Sequence, residues 1–329
     1  MTPDRAQANR RIAVIGECMI ELSQDADGKL RQGFAGDTAN TAVSLARLLP
    51  APTARISYVT ALGDDEFSAA MIGGWEVEGL DTALVRRLPG TLPGLYWIST
   101  DAAGERSFHY WRSESAARAM LSGGYLTRLR DALDGFELVC LSGITLAILP
   151  PGDREQLIGL LRSLRANGSR IVFDTNYRPQ LWPSASAARE SYQAMLEVIS
   201  TGFSSFHDEH ELFGDADPEA TCARLAEQGI AEVVVRNGAQ PCVLHIGGER
   251  LKLPAPPAGQ VVDTSGAGDA FDAAYIAARY LGHEPAEAVA AGHRLAAVTI
   301  AHRGALLPRR EMPALAELLT ANLADPGAD

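Results

Sequence analysis

The sequence has little cysteine, an excess of negative charge and no long apolar run, and each of these excludes a class of protein. Its four cysteines are far apart with no paired spacing, which disfavours a zinc site or a disulfide framework and predicts buried thiols in a cytoplasmic protein: Cys18, Cys140, Cys222 and Cys242. The net charge of −12 at pH 7 opposes binding to nucleic acid or to an anionic membrane. No uninterrupted apolar run reaches the roughly 18 residues that a membrane span needs.

Two fingerprints of nucleotide-binding proteins are also missing. No G-x-x-x-x-G-K-[ST] segment occurs in the chain, which excludes the P-loop class. Gly266 and Gly268 form a G-x-G before a helical pattern, but the third glycine of the dinucleotide fingerprint is absent. A dinucleotide-dependent oxidoreductase is therefore disfavoured.

The most informative segment is DTSGAGDAFDAAYIAARYLG, residues 263–282. Its glycines let the backbone approach an anion, and the start of the following helix offers unpaired N–H groups and the positive end of a dipole. Asp269 places a carboxylate beside such an anion, where it could take a proton from an attacking hydroxyl. The segment predicts phosphoryl transfer, and the alternative is a glycine turn that only caps a helix.

Short apolar runs alternate with helical patterns along the 329 residues. The predicted strands are RIAVIGECMIEL, ARISYVTALG, ELVCLSG, RIVFDTN and EVVVRNG, and DTANTAVSLARLLP and DDEFSAAMIGGWEVEG are predicted helices. This alternation predicts a mainly parallel sheet covered by helices on both faces. Because ligands bind at the carboxyl ends of such strands, the loops after Asp174, Arg236 and Asp263 are the candidate positions.

Residues 94–112 break the alternation and predict a β-hairpin with a turn at 101–104. Tyr96 lies on one face of the first strand, and Tyr110 and Arg112 share a face of the second. An aromatic hairpin of this kind must pack on a core, on another subunit or over a ligand. Arg112 favours the ligand, because arginine offers a planar fork to a carboxylate.

These motifs together resemble the ribokinase/PfkB family of sugar kinases. DTSGAGDAF matches one signature of that family and FAGDTANTAVSLARLL matches its N-terminal substrate loop and helix, and the resemblance extends from Arg11 to Pro313. It implies a ribokinase-like α/β three-layer sandwich with a central, mainly parallel sheet and a small β-sheet lid. The expected domain spans residues 12–320, with lid segments near 28–35 and 88–113, a disordered leader at 1–11 and a polar tail at 321–329.

Five further segments are similar to the branch of the family that acts on sugar acids: GECMIEL, AGDTANTAVSLAR, RSFHYWR, DTNYRPQLW and GHRLAAVTIAHRGALLPR. The resemblance implies Mg²⁺-assisted transfer of the γ-phosphoryl group of ATP to the 6-hydroxyl of 2-keto-3-deoxygluconate. Three alternatives stay open. The acceptor could be fructose, ribose or 2-keto-3-deoxygalactonate, the protein could be a sugar-binding sensor without catalysis, or it could be the disfavoured oxidoreductase.

The resemblance also assigns residues to roles. It makes Asp269 the catalytic base, and gives the anion hole to the backbone of Gly266, Ala267 and Gly268. The expected substrate contacts are Gly36, Asp37, Asn40, Tyr96, Tyr110, Arg112 and Arg178. The expected nucleotide contacts are Asn176, Ser205, Arg236, Gly238, Gly266 and Gly268, with Asp208 as a metal ligand. Arg112 and Arg178 are the cations that could meet the substrate carboxylate and the phosphoryl oxygens.

Four positions depart from the family pattern. Ala35 replaces the first glycine of a G-G-D motif, and the metal-linked N-x-x-E motif reads Ser205 to Asp208. Arg236 replaces a common lysine and Ala274 a glycine. None of these changes removes the base or the anion hole.

Two carboxylates outside these assignments leave two interpretations each. Glu17 could reach the sugar or be a solvated carboxylate at a strand end, and Asp174 could lie near Mg²⁺ or only cap a turn. His293 is interpreted as structural, and His302 as a residue near the adenine. The predicted lid leads us to expect a homodimer, because a second subunit would cover its aromatic face.

Overall fold

The computed structural model describes residues 10–24, 27–100, 106–257 and 259–320. Most of the expected leader, the expected tail and the predicted hairpin turn at 101–104 lie outside these ranges. Arg11, the last residue of the expected leader, is the first residue of a strand. In the described ranges, no helix is both long and apolar enough to cross a membrane.

Nine strands form the main sheet. In spatial order from one edge they are β13 (Glu249–Leu253), β12 (Gln240–Ile246), β11 (Glu232–Asn237), β10 (Thr201–Ser205), β9 (Arg170–Asp174), β8 (Leu138–Ser142), β1 (Arg11–Ile15), β4 (Arg55–Leu62) and β5 (Val85–Arg87). All neighbours pair in parallel from β11 to β5, and the β12–β13 hairpin adds an antiparallel edge. The predicted, mainly parallel sheet is confirmed.

Eleven α-helices occur in the described ranges: α1 (Asp37–Leu48), α2 (Glu66–Val77), α3 (Tyr125–Leu133), α4 (Gly143–Ile148), α5 (Pro151–Ala166), α6 (Ala185–Leu196), α7 (Phe206–Phe213), α8 (Pro218–Glu227), α9 (Ala267–Tyr280), α10 (Pro285–Ile300) and α11 (Leu315–Thr320). Successive strand residues point to opposite faces of the sheet, so β1 contributes Ile12 and Val14 to one core and Ala13 and Ile15 to the other. Helices α1, α2, α9, α10 and α11 cover the first core, and α3 to α8 cover the second. The result is the expected three-layer arrangement.

Four further strands form a separate small sheet. Their spatial order is β3 (Leu30–Ala35), β2 (Met19–Gln24), β6 (Leu95–Thr100) and β7 (Arg106–Trp111). The predicted hairpin is present as the antiparallel pair β6–β7, and the structure sets its register by pairing Tyr96 with Tyr110. The expected lid segments therefore contain β3, β6 and β7.

The prediction of one continuous strand over RIAVIGECMIEL is wrong. The chain leaves the main sheet after Ile15 and enters the small sheet at Met19. Gly16 donates a hydrogen bond to the carbonyl of Val59 at 3.1 Å, and a Cβ at Gly16 would lie 2.1 Å from Oγ1 of Thr38. The close approach of α1 at this glycine marks the point where the chain passes from one sheet to the other.

Candidate functional site

Asp269 lies in the first turn of α9, on the wall of a cleft of about 450 Å³. Gly266 immediately precedes the helix in the left-handed region, with φ of +71°. A Cβ at Gly266 would lie 2.2 Å from the carbonyl oxygen of Ala305, so only glycine fits this turn. The backbone of the helix start is therefore open to the cleft, as an anion-binding turn requires.

The start of α1 meets the start of α9. Asn40 donates a hydrogen bond from Nδ2 to Oδ2 of Asp269 at 2.8 Å, and Thr41 Oγ1 lies 3.5 Å from the Asp269 carbonyl oxygen. Gly36, just before α1, lets the chain pack against the connection between β1 and β2, because a Cβ there would lie 2.1 Å from the carbonyl oxygen of Glu17. The glycine, the amide and the carboxylate are thus held by backbone packing as well as by side chains.

The ionisation of Asp269 is tuned by its surroundings. Burial and the like charge of Asp37 raise the pKa of Asp269 to about 7, against the hydrogen bond from Asn40, which lowers it. Asp174 raises this pKa further, and the guanidinium of Arg236 lowers it. A carboxyl group with a pKa near neutrality is suited to accept a proton from a substrate hydroxyl and to release it again.

A second cleft, of about 800 Å³, lies between α1, the small sheet and the loop after β9. Every residue predicted to contact substrate lines it: Gly36, Asp37, Asn40, Tyr96, Tyr110, Arg112 and Arg178. The two clefts meet, because Asp37, Ile144 and Arg178 line both of them. After the ligands that the sequence predicts for them, we call the larger one the sugar cleft and the smaller one the nucleotide cleft.

The nucleotide cleft contains all the residues predicted to contact the nucleotide: Asn176, Ser205, Arg236, Gly238, Gly266 and Gly268. Asn176 has φ of +30° and donates from Nδ2 to Oδ2 of Asp37 at 2.8 Å. Burial raises the pKa of Asp37, while hydrogen bonds that include the one from Asn176 lower it. Asn176 therefore joins the two clefts at their common wall.

Arg112 is not a free cation. Its side chain is only 9% exposed and forms an ion pair with Glu17, whose side chain is 1% exposed. Ser115 donates a further hydrogen bond to Glu17. Neither interpretation of Glu17 is correct, because its carboxylate is neither solvated nor in the sugar cleft but holds the guanidinium that lines the cleft.

Arg236 is similarly engaged. It donates from Nη2 to Asp174 and from Nη1 to Asp272, each at 2.8 Å. A Cβ at Gly268 would lie 2.7 Å from Nη1 of Arg236, so this glycine lets the guanidinium pass beneath the helix start. Arg236 thus lies under the helix start with its charge compensated by two carboxylates, and Asp174 is one of its partners and does not only cap a turn.

Asp208, the predicted metal ligand, lines the nucleotide cleft and pairs with Arg178 at 3.2 Å. In the part of the chain that the structure describes, no three His, Cys, Asp or Glu side chains converge as a metal site. Mg²⁺ in kinases commonly needs only one or two carboxylates in addition to the substrate phosphates. The donor set, with Asp174 and Asp208 on the wall of this cleft, fits a magnesium ion that arrives with a nucleotide.

The structural interpretation of His293 agrees with its buried ring, whereas His302 does not line the cleft predicted for the nucleotide. His293 lines the nucleotide cleft, its Nε2 is buried without a partner, and its ring packs edge-on to Phe271 with centroids 5.1 Å apart. Burial lowers the pKa of His293 to about 4, so its ring is neutral. His302 lines none of the cavities described for the chain and places Nδ1 2.9 Å from the carbonyl of Val298.

Sequence reasoning missed Asp272 and Ser115, besides misplacing Glu17. Asp272 could have been found from the sequence, because it follows Asp269 by three residues and therefore lies on the same face of the helix. No sequence pattern marks the contact between Glu17 and Ser115, because 98 residues separate the carboxylate from the hydroxyl. Only the packing of the small sheet on the main domain brings these two side chains together.

Comparison with known proteins finds relatives over nearly the whole chain. The profile of the pfkB family of carbohydrate kinases matches residues 9–312 of the chain. The chain is 45% identical over 309 residues to the 2-dehydro-3-deoxygluconokinase of Escherichia coli (strain K12), covering 93% of this chain and 100% of the relative.

Two solved structures share the fold. The fructokinase of Xylella fastidiosa with bound ATP superimposes with a TM-score of 0.80 at 22% identity, covering 94% of this chain and 97% of that chain. A protein of Escherichia coli designated a Ribokinase II, in complex with ATP and Mg²⁺, gives a TM-score of 0.77 with the same identity and coverage. The expected ribokinase-like fold is confirmed, and the chain belongs to the pfkB family of carbohydrate kinases.

Proposed function

We propose that this protein is an ATP-dependent 2-dehydro-3-deoxygluconokinase, which phosphorylates the 6-hydroxyl of 2-keto-3-deoxygluconate. The observation that carries the proposal is the contact between Asn40 and Asp269 at 2.8 Å, where the sugar cleft meets the nucleotide cleft. The curated relatives that are 38–45% identical bear the same name. A carboxylate at this position can take the proton of the acceptor hydroxyl as that oxygen attacks the terminal phosphorus of ATP.

The start of α9 stabilises the transferred group in this proposal. The backbone N–H groups of Gly266, Ala267 and Gly268 face the phosphoryl oxygens, and the positive end of the helix dipole opposes their charge. Among the described residues, the N–H of Gly268 has no carbonyl partner, and that of Ala267 makes only a 3.4 Å contact to Thr264. These donors are available to an anion without breaking a good hydrogen bond.

The sugar side supplies orientation. Asp37 and Asn40 hydrogen-bond the acceptor's hydroxyls, and Tyr96, Tyr110 and Arg112 contact it from the small sheet. Arg178 lies where both clefts meet, so its guanidinium neutralises the negative charge of the phosphoryl group during transfer. A substrate that leaves these buried polar groups unpaired is rejected.

The nucleotide side binds ATP through Asn176, Ser205, Arg236 and Gly238. Asp208 is the residue that would hold Mg²⁺, and the ion, when bound, would neutralise phosphate charge. Asp208 pairs with Arg178 through one carboxylate oxygen, Oδ2, at 3.2 Å, which leaves Oδ1 unused by that pair. Replacement of Asp208 by Asn is expected to raise the Mg²⁺ concentration at half-maximal rate.

The oligomeric state and location form part of the same proposal. We expect a homodimer in which a second copy covers the edges of the small sheet, where Leu30 and Trp111 are 63% and 62% exposed. Light scattering that finds only monomer contradicts it. The four cysteines are free and buried, which supports a reducing, cytoplasmic location.

The test is a phosphorylation screen with Mg·ATP, in which ADP release is measured for sugar acids and for neutral sugars. We expect turnover with 2-keto-3-deoxygluconate and little with fructose or ribose. Preference for a neutral sugar or for the galactonate-derived acid would assign the chain to another substrate of the family. No turnover with any sugar, despite ATP binding, would favour a sensor without catalysis.

A further inference from the structure

Three arginines line the sugar cleft, and they differ in whether their charge is already compensated. Arg112 is paired with Glu17, and Arg178 with Asp208. Arg118 makes no ion pair and no side-chain hydrogen bond with any residue in the described ranges, although it is half-buried and lines the cleft. It is the one guanidinium on this wall with an unused planar fork.

The position of Arg118 is fixed by its backbone. It belongs to a short 3-10 helix, Ala116–Ala119, in which Ala116 and Ala117 are 1% and 3% exposed. Ala116 N–H donates to the carbonyl of Leu92 at 2.9 Å, which ties this turn to the strand connection before β6. Arg118 therefore projects from a rigid support and not from a loose loop.

Arg118 lies on the part of the sugar-cleft wall that the nucleotide cleft does not share. It is absent from the nucleotide cleft, whereas Asp37, Ile144 and Arg178 line both clefts. Arg118 and Leu181 also border a second cavity of about 530 Å³ that is lined by Glu155 and Glu190. Arg118 forms no ion pair with either glutamate.

A sugar acid has a hydroxyl at one end and a carboxylate at the other. When the hydroxyl lies at Asp269, the carboxylate at the other end of the substrate extends into the part of the sugar cleft that the nucleotide cleft does not share. Arg112 alone does not balance the charge of the substrate carboxylate, because Glu17 already compensates the charge of Arg112. Adding the substrate carboxylate to this pair would leave one net negative charge in a partly desolvated space. Charge-assisted, two-point binding of a carboxylate is what an unpaired guanidinium provides.

We propose that Arg118 binds the substrate carboxylate and determines the preference for sugar acids over neutral sugars. The inference rests on the proposed function, since it assigns the far end of the same substrate. It makes Arg118 a specificity residue, distinct from the base and from the anion hole.

The test compares Arg118→Gln with Arg118→Lys. For 2-keto-3-deoxygluconate, Arg118→Gln is expected to raise KM about 10- to 100-fold, with kcat within about threefold and the KM for ATP unchanged. Arg118→Lys keeps the charge but loses the fork, so its KM lies between those of the wild type and Arg118→Gln. Arg128→Gln is the matched control, because Arg128 is exposed on α3 and lines neither cleft.

A neutral probe separates recognition from structure. The primary amide of the substrate removes the negative charge, so Arg118→Gln should leave its KM within about twofold of the wild-type value. Equal losses for the acid and the amide, or a wild-type KM for the acid in both variants, would overturn the assignment. Should Arg118→Gln fail to fold by circular dichroism, the acid-to-amide ratio of Arg118→Lys decides.

The proposed function fails in a different way. A wild-type protein that phosphorylates no sugar acid refutes that function before any variant is compared. Turnover of the acid with no dependence on Arg118 leaves the kinase intact and refutes only the carboxylate site.

Discussion

Replacement of Asp269 by Asn is the most direct probe of the site, because it removes the proton acceptor and keeps the shape of the side chain. Asn40 can still donate to the amide oxygen at position 269, so the contact between α1 and α9 is retained. We expect kcat to fall about 10²- to 10⁴-fold, which is the usual contribution of a general base. ATP binding should stay within a few-fold of wild type, since the anion hole is made of backbone groups.

The wild-type pH profile gives a second magnitude. With a pKa of about 7, Asp269 is about nine-tenths ionised at pH 8 and about one-tenth ionised at pH 6. Only the ionised form accepts a proton, so kcat/KM should fall as pH falls below 7 and approach a tenfold loss per unit. A coupled assay of ADP release between pH 5.5 and 8.5 measures this limb, and Asp269→Asn should abolish it.

The same raised pKa predicts an effect on stability with a defined sign. Between the ordinary value of 3.8 and about 7, the folded protein binds more protons at this site than the unfolded chain, so its stability falls as pH rises through this window. Asn carries no such penalty. Asp269→Asn should therefore gain at most about 4 kcal/mol over wild type between pH 4 and pH 8, less where water in the cleft screens the charge.

Two results would refute this reasoning. A variant with near wild-type kcat shows that another group takes the proton. A wild-type rate that is flat from pH 5.5 to 8, or a stability gain of Asp269→Asn that is larger at pH 4 than at pH 8 in urea titrations, shows that the carboxylate is not raised in pKa.

Three further predictions follow from single contacts. Gly266→Ala should lower the free energy of unfolding by about 1–3 kcal/mol and weaken ATP binding, because the turn needs φ of +71° and the Cβ of alanine would meet Ala305. Isothermal titration calorimetry that finds an unchanged affinity for ATP contradicts this prediction. Glu17→Gln should lower the free energy of unfolding, measured in urea, by about 3–5 kcal/mol, because Arg112 would stay buried without its counter-charge. The loss should be smaller in the double variant Glu17→Gln with Arg112→Met, and additive losses of the two single variants would argue against a pair. Asp37→Asn should move the acidic limb of kcat/KM to lower pH, because Asp37 raises the pKa of Asp269, and an unmoved limb shows that the two carboxylates do not interact.

Much of the fold was readable from the chain because it depends on local pattern. Alternation of β-rich and helical segments predicted the parallel sheet, and the aromatic strand pattern of residues 94–112 predicted the β6–β7 hairpin. The division of RIAVIGECMIEL between two sheets was not readable. A continuous apolar run carries no mark of the sheet in which each half pairs, and the break occurs where α1 approaches Gly16.

The amino-acid sequence by itself determined the anion-binding turn and the carboxylate beside it, because Gly266, Gly268 and Asp269 lie within four residues and their chemistry depends on the local backbone. Only the tertiary structure decided which charges are free. Glu17 compensates Arg112, and Asp174 and Asp272 compensate Arg236, across separations of 36 to 95 residues. The strength of a charge depends on its neighbours and on its burial, and both are set by the packing of distant segments.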